Sequence, residues 1–355
     1  MAFRMTRRAA LGGIGAAALA GPALAQTGVA DIGAKVAREF LSRPNIMMYD
    51  TGDVVAVHYA EAATAYGAAK LGGLLGDTAL VDEVQQRHLR VLSENIPNTR
   101  NHVDANVYGV WPLELYRQGK DPADLAYGLE LADGQWRDLR PDGLTTQTRF
   151  WIDDMWMIGA LQAQAYRSTS NPLYIDRAGR ELAAYVEKLQ QPNGLFFHGP
   201  EAPFHWGRGN GWVAAGLAEV LADLPVGHAS YPVVEGGYRK MMDALLQHQS
   251  GDGMWRQLVD RAESWPESSC TAMFGFALAT GVRRGLLEAS ARQNVDRAWT
   301  ALTARLTMEG LLPDVCVGTG QSQDVQYYLD RPRVTGDLHG QAPMLWLAGA
   351  LLGLS

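Results

Sequence analysis

Residues 152–191 read IDDMWMIGALQAQAYRSTSNPLYIDRAGRELAAYVEKLQQ, and the two halves of this stretch share one rhythm. Apolar residues recur every three or four positions over 152–169 and again over 172–191, the period of an amphipathic helix. Only Ser170-Asn171-Pro172 separates the halves. So short a link forces the two helices to lie antiparallel as neighbours. The unit of this chain is a helical hairpin.

The same unit recurs on both sides. Helical periodicity predicts helices over 31–44, 55–75, 78–94, 104–118, 121–138, 152–169, 172–191, 210–224, 230–249, 268–286, 289–307 and 338–353. Short breaks such as Gly76-Asp77 and Gly119-Lys120 join the first helix of a pair to the second, while longer Gly/Trp/His-rich segments, 192–209 and 250–267 among them, lead to the next pair. A lone hairpin cannot bury its apolar face and must stack on others. Twelve helices in six hairpins give the expected fold: all-α, an (α/α)6 barrel with six inner and six outer helices. An open solenoid of the same hairpins is the alternative. No Ser/Pro-rich linker divides the chain, so residues 26–355 are expected to form one domain.

The first residues carry a different signature. Thr6-Arg7-Arg8 precedes an apolar run from Ala9 to Ala20, and Ala23-Leu24-Ala25 offers a small-residue cleavage site. An apolar core of about 12 residues is too short for a bilayer span, which needs about 20. The arginine pair before a mild Ala/Gly core favours twin-arginine export, which implies a periplasmic or secreted protein. No other segment is apolar enough to be a membrane span. A net charge of −7 without a basic stripe excludes a nucleic-acid partner. The two cysteines, Cys270 and Cys316, are too few for a disulfide framework and read as buried thiols. No Cys-x-x-Cys or His-Glu-x-x-His spacing suggests a metal, and no cofactor is expected.

Unusual polar and aromatic residues gather at one place in this scheme. His58 and Tyr59, Asp104, Asp153 and Asp154, Arg208 with Asn210 and Trp212, Trp265 with Glu267, and His339 all lie at the start of alternate helices. In a barrel of hairpins those helices run parallel, so their N-termini meet at one mouth. Helix N-termini carry partial positive charge and free N–H groups, which suits an anionic ligand. Consecutive helical residues point about 100° apart, so one of Asp153 and Asp154 faces the mouth while the other caps or faces away. A carboxyl ringed by Trp151, Met155, Trp156 and Met157 is partly desolvated, which raises its pKa and makes it a usable general acid. Asp104 is the second carboxylate, with a role as helix cap as its plainer reading. In His205-Trp206-Gly207-Arg208-Gly209-Asn210-Gly211-Trp212, the guanidinium is expected to fork onto a ligand carboxylate and the indoles to offer flat faces to a sugar. His198 lies just before it, in a second glycine-bearing segment.

Together, Trp151-x-Asp-Asp-x-x-Met157, Trp206-x-Arg-Gly-Asn-Gly-Trp212 and Glu267-Ser-Ser-x-Thr-Ala-Met-Phe-x-Phe-Ala277 make the chain resemble the unsaturated glycuronyl hydrolases of glycoside hydrolase families 105 and 88, nearer the rhamnogalacturonyl type of family 105. That resemblance implies a metal-free enzyme that removes 4-deoxy-4,5-unsaturated uronic acid from the non-reducing end of lyase-generated oligosaccharides. It implies Asp153 as the acid/base, Asp104 as its carboxylate partner, and Tyr59, His198, Trp206, Arg208 and Trp212 as substrate-binding residues. A His common in relatives is missing from Asp142–Arg149, where Thr146, Gln147 or Arg149 stands in for it. A polysaccharide lyase on a similar barrel, or a glycan-binding protein without catalysis, are the alternative functions.

Overall fold

The computed structural model describes residues 21–98 and 101–354, with side chains from residue 28 onward. The outer helices are α1 (Gly21–Ser42), α3 (Thr78–Ser93), α6 (Pro122–Gln135), α8 (Pro172–Leu189), α10 (Tyr231–His248) and α12 (Arg292–Thr303). The inner set comprises α2 (Tyr59–Leu75), α4 (Val103–Asn106) running through a 3-10 turn into α5 (Val110–Gly119), α7 (Asp154–Thr169), α9 (Gly207–Leu221), α11 (Ser268–Arg283) and α14 (Leu338–Leu352). Around the inner ring α2 packs on α5, α5 on α7, α7 on α9, α9 on α11 and α11 on α14, and α14 packs back on α2. The ring is closed, and the fold is an (α/α)6 barrel.

Sequence chemistry sorts the two rings. The outer helix α8 buries Tyr174, Ile175, Ala178, Leu182, Tyr185 and Val186 along one stripe, with Asn171 capping its start. The inner helix α9 buries every residue from Gly207 to Leu221, as a helix surrounded by others must. Small residues make that possible: α2 turns Ala60, Ala62, Ala63, Ala65, Ala68 and Ala69 inward on its neighbours.

Several boundaries differ from the sequence expectation, each for a physical reason. The helix expected over 55–75 starts only at Tyr59, because β2 (Val55–Val57) pairs antiparallel with β1 (Met48–Asp50) around a turn at Gly52, whose φ is +83°. The helix expected from 210 already begins at Gly207. Gly207, Gly209 and Gly211 are not loop residues there: a Cβ at each would meet Arg256 O, Ile152 or Met273 at 2.6 Å or less. They permit close helix packing. Two further two-residue pairings, β3 (Trp255–Arg256) with β4 (Pro266–Glu267) and β5 (Val315–Cys316) with β6 (Arg333–Val334), and the short helix α13 (Val325–Leu329) shape the loops over the mouth. Helix α1 begins ten residues before the expected 31 and includes Ala23–Ala25. Of the expected export segment, residues 1–20 lie outside the described residues. No described helix is long and apolar enough to cross a membrane.

The closeness of the inner ring is testable at Gly216, where a Cβ would lie 2.6 Å from the backbone oxygen of Met155 on α7. Gly216→Ala gains about 1 kcal/mol of helix propensity but forces a backbone shift of the kind that costs about 1–3 kcal/mol. The urea midpoint is expected to fall. A raised midpoint would contradict this packing.

Candidate active site

The inner helices deliver their N-termini to one mouth, and the carboxylates there are not equivalent. Asp153 occupies the residue before α7 yet makes no capping bond with its side chain. Asp154, wholly buried, accepts from Arg149 Nε at 3.1 Å, Arg149 Nη2 at 2.6 Å, the Arg149 backbone N–H at 3.2 Å and the Tyr185 hydroxyl at 2.7 Å. The same guanidinium reaches Asp104, with Nη1 donating to Oδ2 at 3.2 Å and Nη2 to Oδ1 at 3.3 Å. Backbone geometry permits this double grip. Phe150 has φ +56°, a left-handed conformation that a phenylalanine adopts only under constraint. Its N–H donates to the Tyr185 hydroxyl at 3.1 Å.

One cation therefore serves two of the three carboxylates. Asp153 is the third, only 8% exposed, and its Oδ2 has no hydrogen-bond partner. Opposite it, at 3.8 Å, lies Nε2 of the buried His198, equally without a partner. Burial first, and then Arg208, push the His198 imidazole down to about 3, so it is neutral near pH 7 and offers Asp153 no charge. Burial, followed by the charge of Asp154, pushes the Asp153 carboxyl up to about 7, against the pull of Arg208 and Arg149. Burial also pushes Asp154 up, but Arg149 and the Tyr185 hydroxyl oppose that shift. The arrangement provides one acid with a proton to give near neutrality, beside two engaged carboxylates.

The sequence-derived candidates do meet at this mouth, though several stand differently than expected. Neither Asp153 nor Asp154 caps its helix. Arg208 is fully buried, and its guanidinium donates to Cys316 O and, at 2.6 Å, to Val317 O. Its fork is spent on main-chain carbonyls of the β5 loop rather than left open for a ligand carboxylate, and only Nε lacks a partner. Trp206 is covered between the His198 ring, 4.6 Å between centroids, and the Arg208 guanidinium at 4.8 Å. Trp212 is buried in an aromatic layer with Trp156 and Trp346. Neither indole presents a free face. Tyr59 packs edge-on against Trp212, 5.9 Å between centroids, and bonds through its hydroxyl to His339. His198 Nδ1 is tied to Tyr328 of α13 at 2.8 Å. Glu267 accepts from Ser269 N, Cys270 N and Cys316 N and thus stitches α11 to β5. Cys270 and Cys316 are both free and buried.

Sequence reasoning placed Arg149 only as a substitute for an absent histidine, overlooked Tyr185 and Tyr328, and gave Asp337 no role in the site. Their signal is weak in sequence: Tyr185 lies on an outer helix, and Tyr328 and Asp337 lie in or beside the long α12–α14 connection. The opposite mouth holds a separate cavity of about 290 Å³ lined by Lys70, Glu114, Arg117, Phe276, Arg283 and Trp346. Its cations sit where helix C-termini favour positive charge, and Lys70 and Arg117 pair with Glu219 and Glu114. It has no part in the carboxylate site.

Residues 33–352 match the profile of Glycosyl Hydrolase Family 88, and the chain belongs to that family. It is 33% identical over 173 residues to the unsaturated 3S-rhamnoglycuronyl hydrolase of Alteromonas sp. (strain LOR), covering 45% of this chain and 42% of that protein. It is 26% identical over 211 residues to the unsaturated rhamnogalacturonyl hydrolase YesR of Bacillus subtilis (strain 168), covering 57% and 59%. The chain thus spans about half the length of these two curated relatives. A possible member of the GH105 family from Klebsiella pneumoniae subsp. pneumoniae MGH 78578 superposes with a TM-score of 0.84 at 19% identity, over 96% of this chain and 99% of that one. The unsaturated glucuronyl hydrolase from Bacillus sp. GL1 superposes with a TM-score of 0.64 at 16% identity, over 93% and 96%. These likenesses establish the barrel.

The double grip of Arg149 has a measurable consequence. Arg149→Met leaves Asp104 and Asp154 buried without a counter-charge, and about 3 kcal/mol of stability is expected to vanish at pH 7. Denaturant unfolding checks this; a loss below about 1 kcal/mol would show that the pair is not held by charge.

Proposed function

We propose that this chain is a hydrolase that releases 4-deoxy-4,5-unsaturated uronic acid from the non-reducing end of oligosaccharides left by polysaccharide lyases. One observation carries the reading: a buried carboxyl, Asp153, with an unpartnered oxygen and a proton affinity raised to about 7. Ordinary glycoside hydrolysis divides its work between two carboxyls, an acid and a base or nucleophile. Asp104 and Asp154 are both engaged by Arg149, so one free acid remains. A single acid suits hydration of an enol ether. Asp153 gives its proton to C4, positive charge develops at C5 and the ring oxygen, and water adds at C5 as it returns a proton to the Asp153 carboxylate. The resulting hemiketal opens and frees the remaining sugar.

The anionic end of such a substrate is accommodated by the field of the helix N-termini and of Arg208, which acts at a distance in place of the expected fork. His198 and Tyr59 bring polar atoms to the same space. Both relatives named above carry a rhamnose-linked uronyl substrate in their names, which puts rhamnose-terminated unsaturated disaccharides first in a substrate panel. The Thr6-Arg7-Arg8 leader supports export by the twin-arginine route, to the periplasm or beyond.

Incubation with lyase products from pectin, glycosaminoglycan and algal polymers tests the reading through the ultraviolet absorbance of the conjugated uronyl group. A hydrolase removes that absorbance, a lyase acting on intact polymer creates it, and a binding protein leaves it unchanged. Asp153→Asn is expected to abolish the loss of absorbance; a variant with near-normal rate would remove Asp153 from the chemistry. The wild-type rate is expected to fall as pH rises through about 7, where the acid loses its proton. Stability follows the same sign. The folded carboxyl holds its proton from about 3.8, its ordinary value, up to about 7, so this group lowers stability progressively as pH rises through that window. Asp153→Asn is therefore expected to melt higher than wild type at pH 8 and equally at pH 4. Equal melting at both would deny the raised affinity.

A further inference from the structure

His198 links the acid to the rim of the cleft, and its two ring nitrogens face different partners. Nδ1 lies 2.8 Å from the hydroxyl of Tyr328 on α13, and Nε2 lies 3.8 Å from Oδ2 of Asp153. Which nitrogen carries the proton follows from Tyr328. That side chain is fully buried, and its hydroxyl oxygen accepts from the Ser322 backbone N–H at 3.2 Å. For the hydroxyl hydrogen, Nδ1 of His198 is the acceptor within reach among the described residues. A buried hydroxyl takes such a bond. Nδ1 is therefore bare, and the ring proton sits on Nε2, opposite Asp153. Burial and Arg208, which push this imidazole down to about 3, agree with a ring that carries a single proton. The oxygens of Asp153 differ as well. Oδ2 is sealed from solvent without a partner, and Oδ1 is the oxygen left open to the mouth.

We infer that Tyr328 locks His198 in its Nε2–H form, and that this N–H keeps the Asp153 proton on Oδ1, where a substrate can take it. What Oδ1 then does rests on the hydrolase reading. A proton on Oδ2 would set O–H against N–H, two donors facing one another across 3.8 Å. With the proton on Oδ1, Oδ2 is a bare acceptor that a small turn of the carboxyl brings into hydrogen-bond range of Nε2. The other tautomer would present a bare Nε2 and draw the acid's proton to Oδ2, away from the mouth. In the reaction Oδ1 gives its proton to C4, the electrons of that O–H bond stay on the carboxylate, and the Nε2–H meets the charge. Water bonding to C5 returns one proton to Oδ1 and keeps its other hydrogen as the new hydroxyl. His198 ends with the proton it began with. It is a positioning residue for Asp153, as Tyr328 is for His198. The rim fastens the same residue a second time, since Gln321 Nε2 donates to the His198 backbone oxygen at 3.3 Å.

The test reads the nitrogen-15 resonances of the imidazoles, with His198 assigned through the His198→Gln spectrum, beside kcat and KM on an unsaturated disaccharide. Wild type is expected to show a proton on Nε2 and a bare, hydrogen-bonded Nδ1 at pH 7. Tyr328→Phe keeps the ring that packs with Trp206, Leu258 and Phe204 and removes only the hydroxyl. In that variant the proton is expected to spread onto Nδ1, and kcat to fall about tenfold with KM nearly unchanged. In a His198→Gln background the same change is expected to cost nothing further, because Tyr328 acts through the imidazole. Circular dichroism of each variant keeps misfolding apart from loss of positioning. A proton on Nδ1 in the wild type, wild-type kcat in Tyr328→Phe, or a further loss in the His198→Gln background would each overturn the inference. The spectrum needs no substrate. A wild type that holds the Nε2–H form yet leaves the absorbance untouched overturns the hydrolase reading, and with it the role of Oδ1, but not the tautomer.

Discussion

A single guanidinium shared between two carboxylates sets the chemistry of this barrel. Arg149 engages Asp104 and Asp154 at once, and Tyr185 completes the coordination of Asp154 from the outer ring. Three acids brought to one buried mouth would repel one another and each take up protons at random. With Arg149 in place two are paired by contact, and the third has no hydrogen-bonded cation, so burial and then the charge of Asp154 raise it. Distribution of one cation among three anions thus distinguishes two adjacent aspartates that look alike in sequence. The left-handed backbone of Phe150 is part of this device, since Arg149 grips Asp154 with both its side chain and its own N–H.

The barrel supplies what a loop could not. Closed packing of inner helices through small residues fixes the relative heights of their N-termini, and the site groups ride on those ends. Around the rim the long α12–α14 connection is fastened from beneath. Arg208 holds the carbonyls of Cys316 and Val317, Glu267 holds the Cys316 N–H, and Tyr328 is bonded to His198. The motif residues near Trp206 therefore build the floor and fasten the lip of the cleft. On the proposed function their contribution to an anionic substrate is a field and a shape rather than a hand on its carboxylate.

Much of this is legible in the sequence. The hairpin rhythm around Ser170-Asn171-Pro172 repeats often enough to count the barrel, and alternate helix starts carry the polar residues, which locates the mouth. The physical reason is that periodicity and capping are local properties written in adjacent residues. What escaped sequence reasoning is long-range pairing. Nothing local to Arg208 reveals that its partners are main-chain carbonyls more than a hundred residues onward, nor that Trp206 is covered on both faces. Gly207, Gly209 and Gly211 signal close approach without saying what approaches; here it is the β3 backbone, Ile152 and Met273. Tyr59 was singled out by position, but its partnership with His339 and Asp337 depends on closure of the ring between the first inner helix and the last.

The central claim concerns where one proton resides, and carbon-13 resonance of the aspartate carboxyls, with Asp153 assigned through the Asp153→Asn spectrum, reads it directly. The account predicts that the Asp153 carboxyl titrates near 7. An Asp153 signal that titrates near 4, as an ordinary exposed aspartate does, would contradict it.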